Sequence, residues 1–368
     1  REKKTGHRVD ISGEANTTWF SDELAQAAEK PEEAAVSMDD LAVLMYTGGT
    51  TGISKGAQLT HRNILVNAVQ SVTWVNGKEG QDRTLTTLPL YHSYAMTLCM
   101  NVSVVGMGTM LLVPDPRDTD DILKTIHKHR PTYYPGVPAM YVAINNHPEA
   151  AKYDLSSIKT CCSGAAPLPV EVQQRFQELT GARLVEGYGL SEASPVTHGN
   201  PAYGESRIGT IGLPWPDTEV KIVDVDTGEQ VVAAGEVGEL CVRGPQVMTG
   251  YWNMPSETAN TLRLDPQGGG VWLHTGDIAV MTEDGYFQIV DRKKDMILGA
   301  GGYNIYPREI EDVLYEHPKV LEAAAVGVLA GDKGERIKAF VVLKEGHTAT
   351  ESEMIEFCKE NLAPYKVP

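Results

Sequence analysis

Between residues 41 and 190, short apolar runs alternate with longer stretches in which apolar residues return every three or four positions. The runs at 41–46, 84–88, 109–113, 132–134, 158–162 and 183–186 predict strands. The amphipathic stretches at 61–72, 93–105, 118–129, 138–146 and 169–180 predict helices. Strand–helix alternation of this kind predicts an α/β fold, a largely parallel sheet with helices on its faces. Ligands of such sheets bind at the carboxyl ends of the strands.

Beyond residue 205 the pattern changes. The segments EVKIVDVDTGEQVV, GELCVRG and YFQIVDR read as short strands joined by Asp-Thr-Gly and Asp-Gly turns, a β-rich module. From about residue 294 a third texture begins. Pro307 opens a helix, strand patterns follow at 321–329 and 337–343, and Thr350 with Glu353 predicts a capping box on a last helix. The chain therefore divides into 1–204, a large α/β part, 205–293, a β-rich part, and 294–368, a small α+β lid. Residues 1–36 are charged and predict no element, and the chain stops directly after a helix. Both ends read as cuts.

Composition narrows the function classes. The net charge of −17 has the wrong sign for a general nucleic-acid binder, so an anionic ligand needs a locally basic site. Five scattered cysteines without a CxxC pair read as reduced thiols of a cytoplasmic protein. No apolar run reaches the roughly 18 residues of a membrane span, and no signal peptide opens the chain, so a soluble protein is expected. No strongly basic amphipathic helix demands a bilayer. Peripheral membrane contact and homodimer formation stay open.

Residues 46–56, YTGGTTGISKG, carry the densest chemistry, with four Gly, three Thr, one Ser and one Lys after an apolar run. The expected form is a buried strand ending in a loop without bulky side chains, with a helix beginning near His61. Such a loop brings N–H groups, hydroxyls and one ammonium around a polyphosphate. It is not the Walker pattern, because Lys55 lies between Ser54 and Gly56. A glycine-rich surface turn is the plain alternative.

The stretch resembles the phosphate loop of the adenylate-forming superfamily, which comprises acyl-CoA synthetases, aryl-CoA ligases, luciferases and adenylation domains. Thr47, Gly48, Gly49, Thr50, Thr51, Gly52 and Lys55 fall on its pattern, with Gly48 in place of the usual Ser and Ser54 in place of the usual Pro. Further motifs follow in the family's order. In EGYGLSE, which includes Gly187 and Gly189, the resemblance implies that Tyr188 stacks on adenine, Ser191 contacts phosphate and Glu192 holds Mg²⁺. Gly164, Ala165 and Ala166 resemble the adenine-pocket segment. Asp277 of HTGD would bind the ribose hydroxyls, and Arg292 of DRKKD the ribose and phosphate. Lys294 matches the hinge on which the lid turns, and Gly301, Gly302 and Tyr303 would pass the pantetheine arm of CoA. Taken singly, each motif also reads as ordinary structure: a buried aromatic, a capping acid, a turn, a solvated charge run.

The resemblance is closest to bacterial medium- and long-chain fatty acyl-CoA synthetases, and implies the adenylate-forming fold. It implies a carboxylic acid, ATP and CoA as small-molecule substrates, with Lys55, Glu192, Arg292 and His92 in the reaction. His92 would gate the acyl channel, and Gly136, Val137 and Pro138 would form its wall. His92 stands where amino-acid-activating relatives usually carry Asp, which disfavours an ammonium-bearing substrate. The family's C-terminal catalytic lysine lies beyond Pro368, so the chain as it stands is expected to be impaired in adenylation. An aryl or short-acyl ligase, and a fragment that only binds nucleotide or CoA, are the competing readings. A P-loop NTPase fails on the Walker mismatch.

Overall fold

The computed structural model describes residues 17–29, 34–47, 54–266, 268–299, 303–329 and 335–368. Within residues 1–38, a separate compact unit, the described part holds one short helix, Phe20–Gln26, with no buried residue. The remainder is organised by two large sheets and a C-terminal α/β cluster.

The first sheet has seven strands in the spatial order Thr109–Leu112, Arg83–Thr86, Tyr133–Gly136, Thr160–Ser163, Arg183–Gly189, Val196–Gly199 and Leu213–Pro214. The first five run parallel and the last two antiparallel. The expected parallel core is therefore present. The helices packed on it form where their ends are written into the sequence. Pro138 opens Pro138–Asn146 at the first turn. The Asp118 carboxylate accepts Asp121 N–H at 2.9 Å to cap Thr119–His129. Leu85, Ile126, Tyr134, Tyr141, Phe176 and Leu184 are fully buried between sheet and helices. Each such side chain stabilises the fold by about 1.5–3 kcal/mol.

Four expectations need correction. Residues 1–36 predicted no element, yet Phe20–Gln26 is helical, with Asp22 and Glu23 in its first turn. The strand at 41–46 is not buried in the parallel sheet. Leu41–Thr47 pairs antiparallel with Lys55–Thr60 in a separate two-stranded ribbon, and most of it is half-buried or exposed. An apolar run reports burial potential, not its partner strand. The helix at 93–105 is broken: Ser93–Ala95 and Val102–Val105 flank a π-helical stretch, Met96–Asn101. The capping box at Thr350 is half made. Thr350 Oγ1 accepts Glu353 N–H at 3.2 Å, but the Glu353 carboxylate takes the Lys319 ammonium at 2.6 Å instead.

The second sheet is antiparallel, running Glu219–Val223, Val237–Arg243, Val271–Met281 and Leu262–Leu264, with Phe287–Arg292 also paired to Val271–Met281. After Arg292 the chain enters the C-terminal cluster. Pro307–Glu316 and Glu351–Asn361 pack against the hairpin of Val320–Leu329 and Glu335–Leu343, around Ile297, Ile305, Ile310 and Leu314. Among the described residues, no helix is long and apolar enough to cross a membrane.

Candidate active site

A cleft of about 880 Å³ opens at the carboxyl ends of the parallel strands. It is lined by Tyr188 and Gly189 at the end of Arg183–Gly189, by Gly164 and Ala165 after Thr160–Ser163, and by His92, Ser93 and Tyr94 beyond Arg83–Thr86. The backbone is unusual there. Ala165 sits at φ 67°, the left-handed region that most L residues avoid. A Cβ at Gly189 would lie 2.2 Å from Pro195 O, so only glycine lets the two segments approach.

One end of the cleft is built on a buried carboxylate, Asp277, beside the more exposed Arg292. Asp277, 1% exposed, receives the Tyr188 hydroxyl on Oδ2, and Arg292 Nε lies 2.7 Å from its Oδ1. Asp277 and Arg292 face each other across the antiparallel ladder, so the sheet register sets this contact. Burial pushes the Asp277 carboxyl up, against the pull of Arg292 and the Tyr188 hydrogen bond. Beneath Tyr188 the ring of His198 stands edge-on at 5.9 Å between centroids. Burial lowers His198 to about 3, so it stays neutral.

A second buried carboxylate, Glu239, binds the adjoining loop. Its Oε1 accepts Gly276 N–H at 3.2 Å and its Oε2 lies 3.0 Å from Lys293 Nζ. Burial opposes its charge, but His274 and Lys293 outweigh that and hold it down to about 2. Lys293 N–H also donates to Gly276 O at 2.9 Å, so the residue before Lys294 is fixed through both main chain and side chain.

The other end is more open. Lys55 lines the cleft, pairs with Glu257 and lies 5.3 Å from the centroid of the Tyr251 ring. The Tyr251 hydroxyl donates to Glu192 Oε1 at 2.7 Å, which leaves Oε2 as a donor atom for a cation. Among the described residues no group of three His, Cys, Asp or Glu could hold a metal. A cation at Glu192 therefore fits only with further oxygens from a ligand, the donor set that Mg²⁺ takes beside phosphates.

Toward the sheet interior the lining becomes apolar, with Tyr94, Leu98, Cys162 and Val196. The Tyr94 hydroxyl donates to Cys162 O at 2.6 Å. His92 caps Ser93–Ala95 with Nδ1, which accepts Tyr94 N–H at 3.2 Å. Ser93 Oγ and Ser191 Oγ are 3.1 Å apart, joining this wall to the Ser191–Glu192 turn.

The cleft thus brings together Thr47, Lys55, His92, Gly164, Ala165, Gly187, Tyr188, Gly189, Ser191, Glu192, Arg292 and Lys294 from six separate stretches of chain. Asp277 reaches it through Tyr188 and Arg292. Ala166 and Pro138 are not among the lining residues, and neither are Gly136 and Val137, which stand behind Tyr94. Tyr303 stacks on Tyr365 at 4.6 Å, outside the cleft. Gly48, Gly49, Thr50, Thr51, Gly52, Gly301 and Gly302 lie outside the described residues. The sequence reading missed Tyr251, Glu257, Glu239 and Lys293. For Tyr251 a signal exists, an aromatic pair after Gly250 and before the Pro-initiated helix Pro255–Thr261.

The family profile of the AMP-binding enzyme matches residues 1–252, and that of the AMP-binding enzyme C-terminal domain matches residues 309–368. The chain belongs to the AMP-binding enzyme family. It is 50% identical over 367 residues to a long-chain-fatty-acid–CoA ligase of Bacillus subtilis (strain 168), covering 98% of this chain and 63% of that relative's length. ATP-bound MatB from Rhodopseudomonas palustris superposes with a TM-score of 0.85 at 33% identity, over 95% of this chain and 67% of that one. MenE from Bacillus subtilis, in complex with ATP and magnesium ion, gives 0.80 at 33% identity, over 94% and 69%. This AMP-binding enzyme has the adenylate-forming fold that its motifs imply.

Proposed function

We propose that the protein activates a medium- or long-chain fatty acid with ATP and transfers it to CoA. In the first step the carboxylate attacks the α-phosphorus, pyrophosphate leaves and an acyl-adenylate forms. In the second the CoA thiol attacks the mixed anhydride, giving the thioester, AMP and a proton. The observation that carries this reading is the two-ended cleft. Tyr188, Asp277 and Arg292 stand at one end and Lys55 and Glu192 at the other, while Tyr94, Leu98 and Cys162 begin an apolar wall toward the sheet interior.

The polar groups do the work that phosphoryl chemistry asks of a protein, positioning and charge stabilisation without a covalent nucleophile. Asp277 orients the ribose hydroxyls, and Tyr188 is held by Asp277 and His198 to present its ring to the purine. Arg292 and Lys55 supply positive charge. A magnesium ion held by Glu192 would neutralise phosphate charge in that environment. The two nucleotide-bound neighbours and the relative named above support ATP, magnesium and a fatty acid for this chain.

The apolar lining supports an acyl substrate. One buried cluster, with Tyr94, Leu98, Cys99, Val102, Tyr133 and Cys162, links the cleft to a second cavity at the amino ends of the strands. The π-helical stretch Met96–Asn101 lies along this cluster. His92 stands at the cleft end as its gate. Lys294 is the hinge that turns the C-terminal cluster between the two steps, and the segment through Gly301, Gly302 and Tyr303 passes the pantetheine arm.

Binding of non-hydrolysable acyl-adenylate analogues tests the reading. A palmitoyl analogue is expected to bind tighter than its benzoyl and aminoacyl counterparts and much tighter than AMP. Equal affinity for all four would overturn it.

A further inference from the structure

Lys55 does not stand alone on the wall of the cleft. Its ammonium is paired with the Glu257 carboxylate, which is not among the residues lining the cleft, in the first turn of Pro255–Thr261. The pairing is built into the backbone. Gln58 N–H donates to Gly250 O at 2.9 Å, Thr249 N–H to Gln58 O at 3.1 Å, and Trp252 N–H to Gly56 O at 2.8 Å. These bonds fix the 249–252 turn against the strand that begins with Lys55. Tyr251 N–H then donates to Thr258 Oγ1 at 2.8 Å, tying the first turn of the helix to the same place. Glu257 is thereby delivered to Lys55 across 202 positions of sequence. The side chains are 23% and 42% exposed, so the pair is screened by water and can exchange partners at small cost.

From this geometry, and on the reading that Lys55 serves the polyphosphate, we infer that Glu257 is a competing counterion that sets how tightly polyphosphates are held. An ammonium has three N–H donors and no acceptor. A phosphate oxygen arriving at Lys55 must displace the carboxylate or share the cation with it, and both lower affinity. As pyrophosphate departs, Glu257 takes the ammonium back and favours release. Glu257 is a positioning residue in this scheme, acting through Lys55.

The test is calorimetric binding of ATP, pyrophosphate and AMP to the wild type, Glu257→Gln, Glu257→Asp, Lys55→Ala and the Lys55→Ala/Glu257→Gln double variant. Glu257→Gln is expected to tighten ATP and pyrophosphate by roughly three- to tenfold and to leave AMP unchanged. Glu257→Asp should restore wild-type values, and the gain should vanish without Lys55. A Glu257→Gln variant that binds ATP no tighter, or a gain that persists in the double variant, would overturn the inference. If Lys55→Ala alone leaves ATP affinity intact, the phosphate role of Lys55 fails first and the inference falls with it.

Discussion

The two ends of the cleft carry similar charges in opposite settings. At the ribose end Asp277 is buried, faces Arg292 across a sheet ladder and holds the Tyr188 hydroxyl. At the end proposed to hold the polyphosphate, Lys55 and Glu257 form a partly exposed pair beside Tyr251 and Glu192. A buried, hydrogen-bonded charge is costly to rearrange, whereas an exposed pair contributes little and exchanges readily. The difference matches the two tasks. On the proposed reading the nucleoside stays in place through both chemical steps, while the polyphosphate arrives charged and must leave.

The largest effect expected on this contrast is at Asp277. Asp277→Asn should weaken ATP and AMP together by about ten- to a hundredfold, the scale of lost hydrogen bonds to a charged group. Equilibrium titration checks it, and a loss no greater than that of Lys55→Ala would erase the contrast. Glu239→Gln leaves the Lys293 ammonium without its buried carboxylate and should destabilise the fold by about 2–3 kcal/mol at neutral pH. The pH dependence follows from the direction of the shift. Glu239 is held down to about 2, so its contribution is whole above the ordinary glutamate value and fades as pH falls toward 2. Denaturant unfolding of wild type and variant should therefore converge in acid.

Glu186 shows the opposite sign. Burial raises it to about 7 despite the Arg308 charge, so the folded state holds its proton more tightly than the unfolded chain. Stability is then lost as pH rises from the ordinary glutamate value through about 7. Glu186→Gln should add roughly 1–3 kcal/mol at pH 8 and nothing near pH 4. Unfolding curves across that range would show it, and a constant offset would contradict it. The smallest effect belongs to Tyr251→Phe. Loss of its bond to Glu192 should weaken magnesium-dependent ATP binding by about 1 kcal/mol and leave AMP binding alone.

Much of the framework was legible because its signals are local. Pro138 and Asn146 bound their helix as read, and the parallel strands through Arg183 sit on their apolar runs. Pairing between distant segments was not legible. The apolar run at 41–46 told nothing of the antiparallel ribbon that Leu41–Thr47 joins, and the π-helical stretch Met96–Asn101 carries no periodicity mark of its own. The site divides in the same way. Tyr188, Glu192 and Arg292 were found through motifs that keep their neighbours in sequence. Glu257 and Glu239 were missed because each acts on a partner more than 50 positions away. Ordinary helix and strand chemistry accounts for both residues until the fold brings the partner in.

The division between a fixed ribose end and an exchangeable phosphate end is tested most directly by titrating AMP and ATP at low and at high salt. Screening acts on exposed charges and spares buried ones. The account requires that AMP affinity, carried by the buried Asp277 carboxylate and the Tyr188 it holds, change little, while the added affinity of ATP shrinks as salt rises. Equal loss of AMP and ATP binding with salt would contradict it.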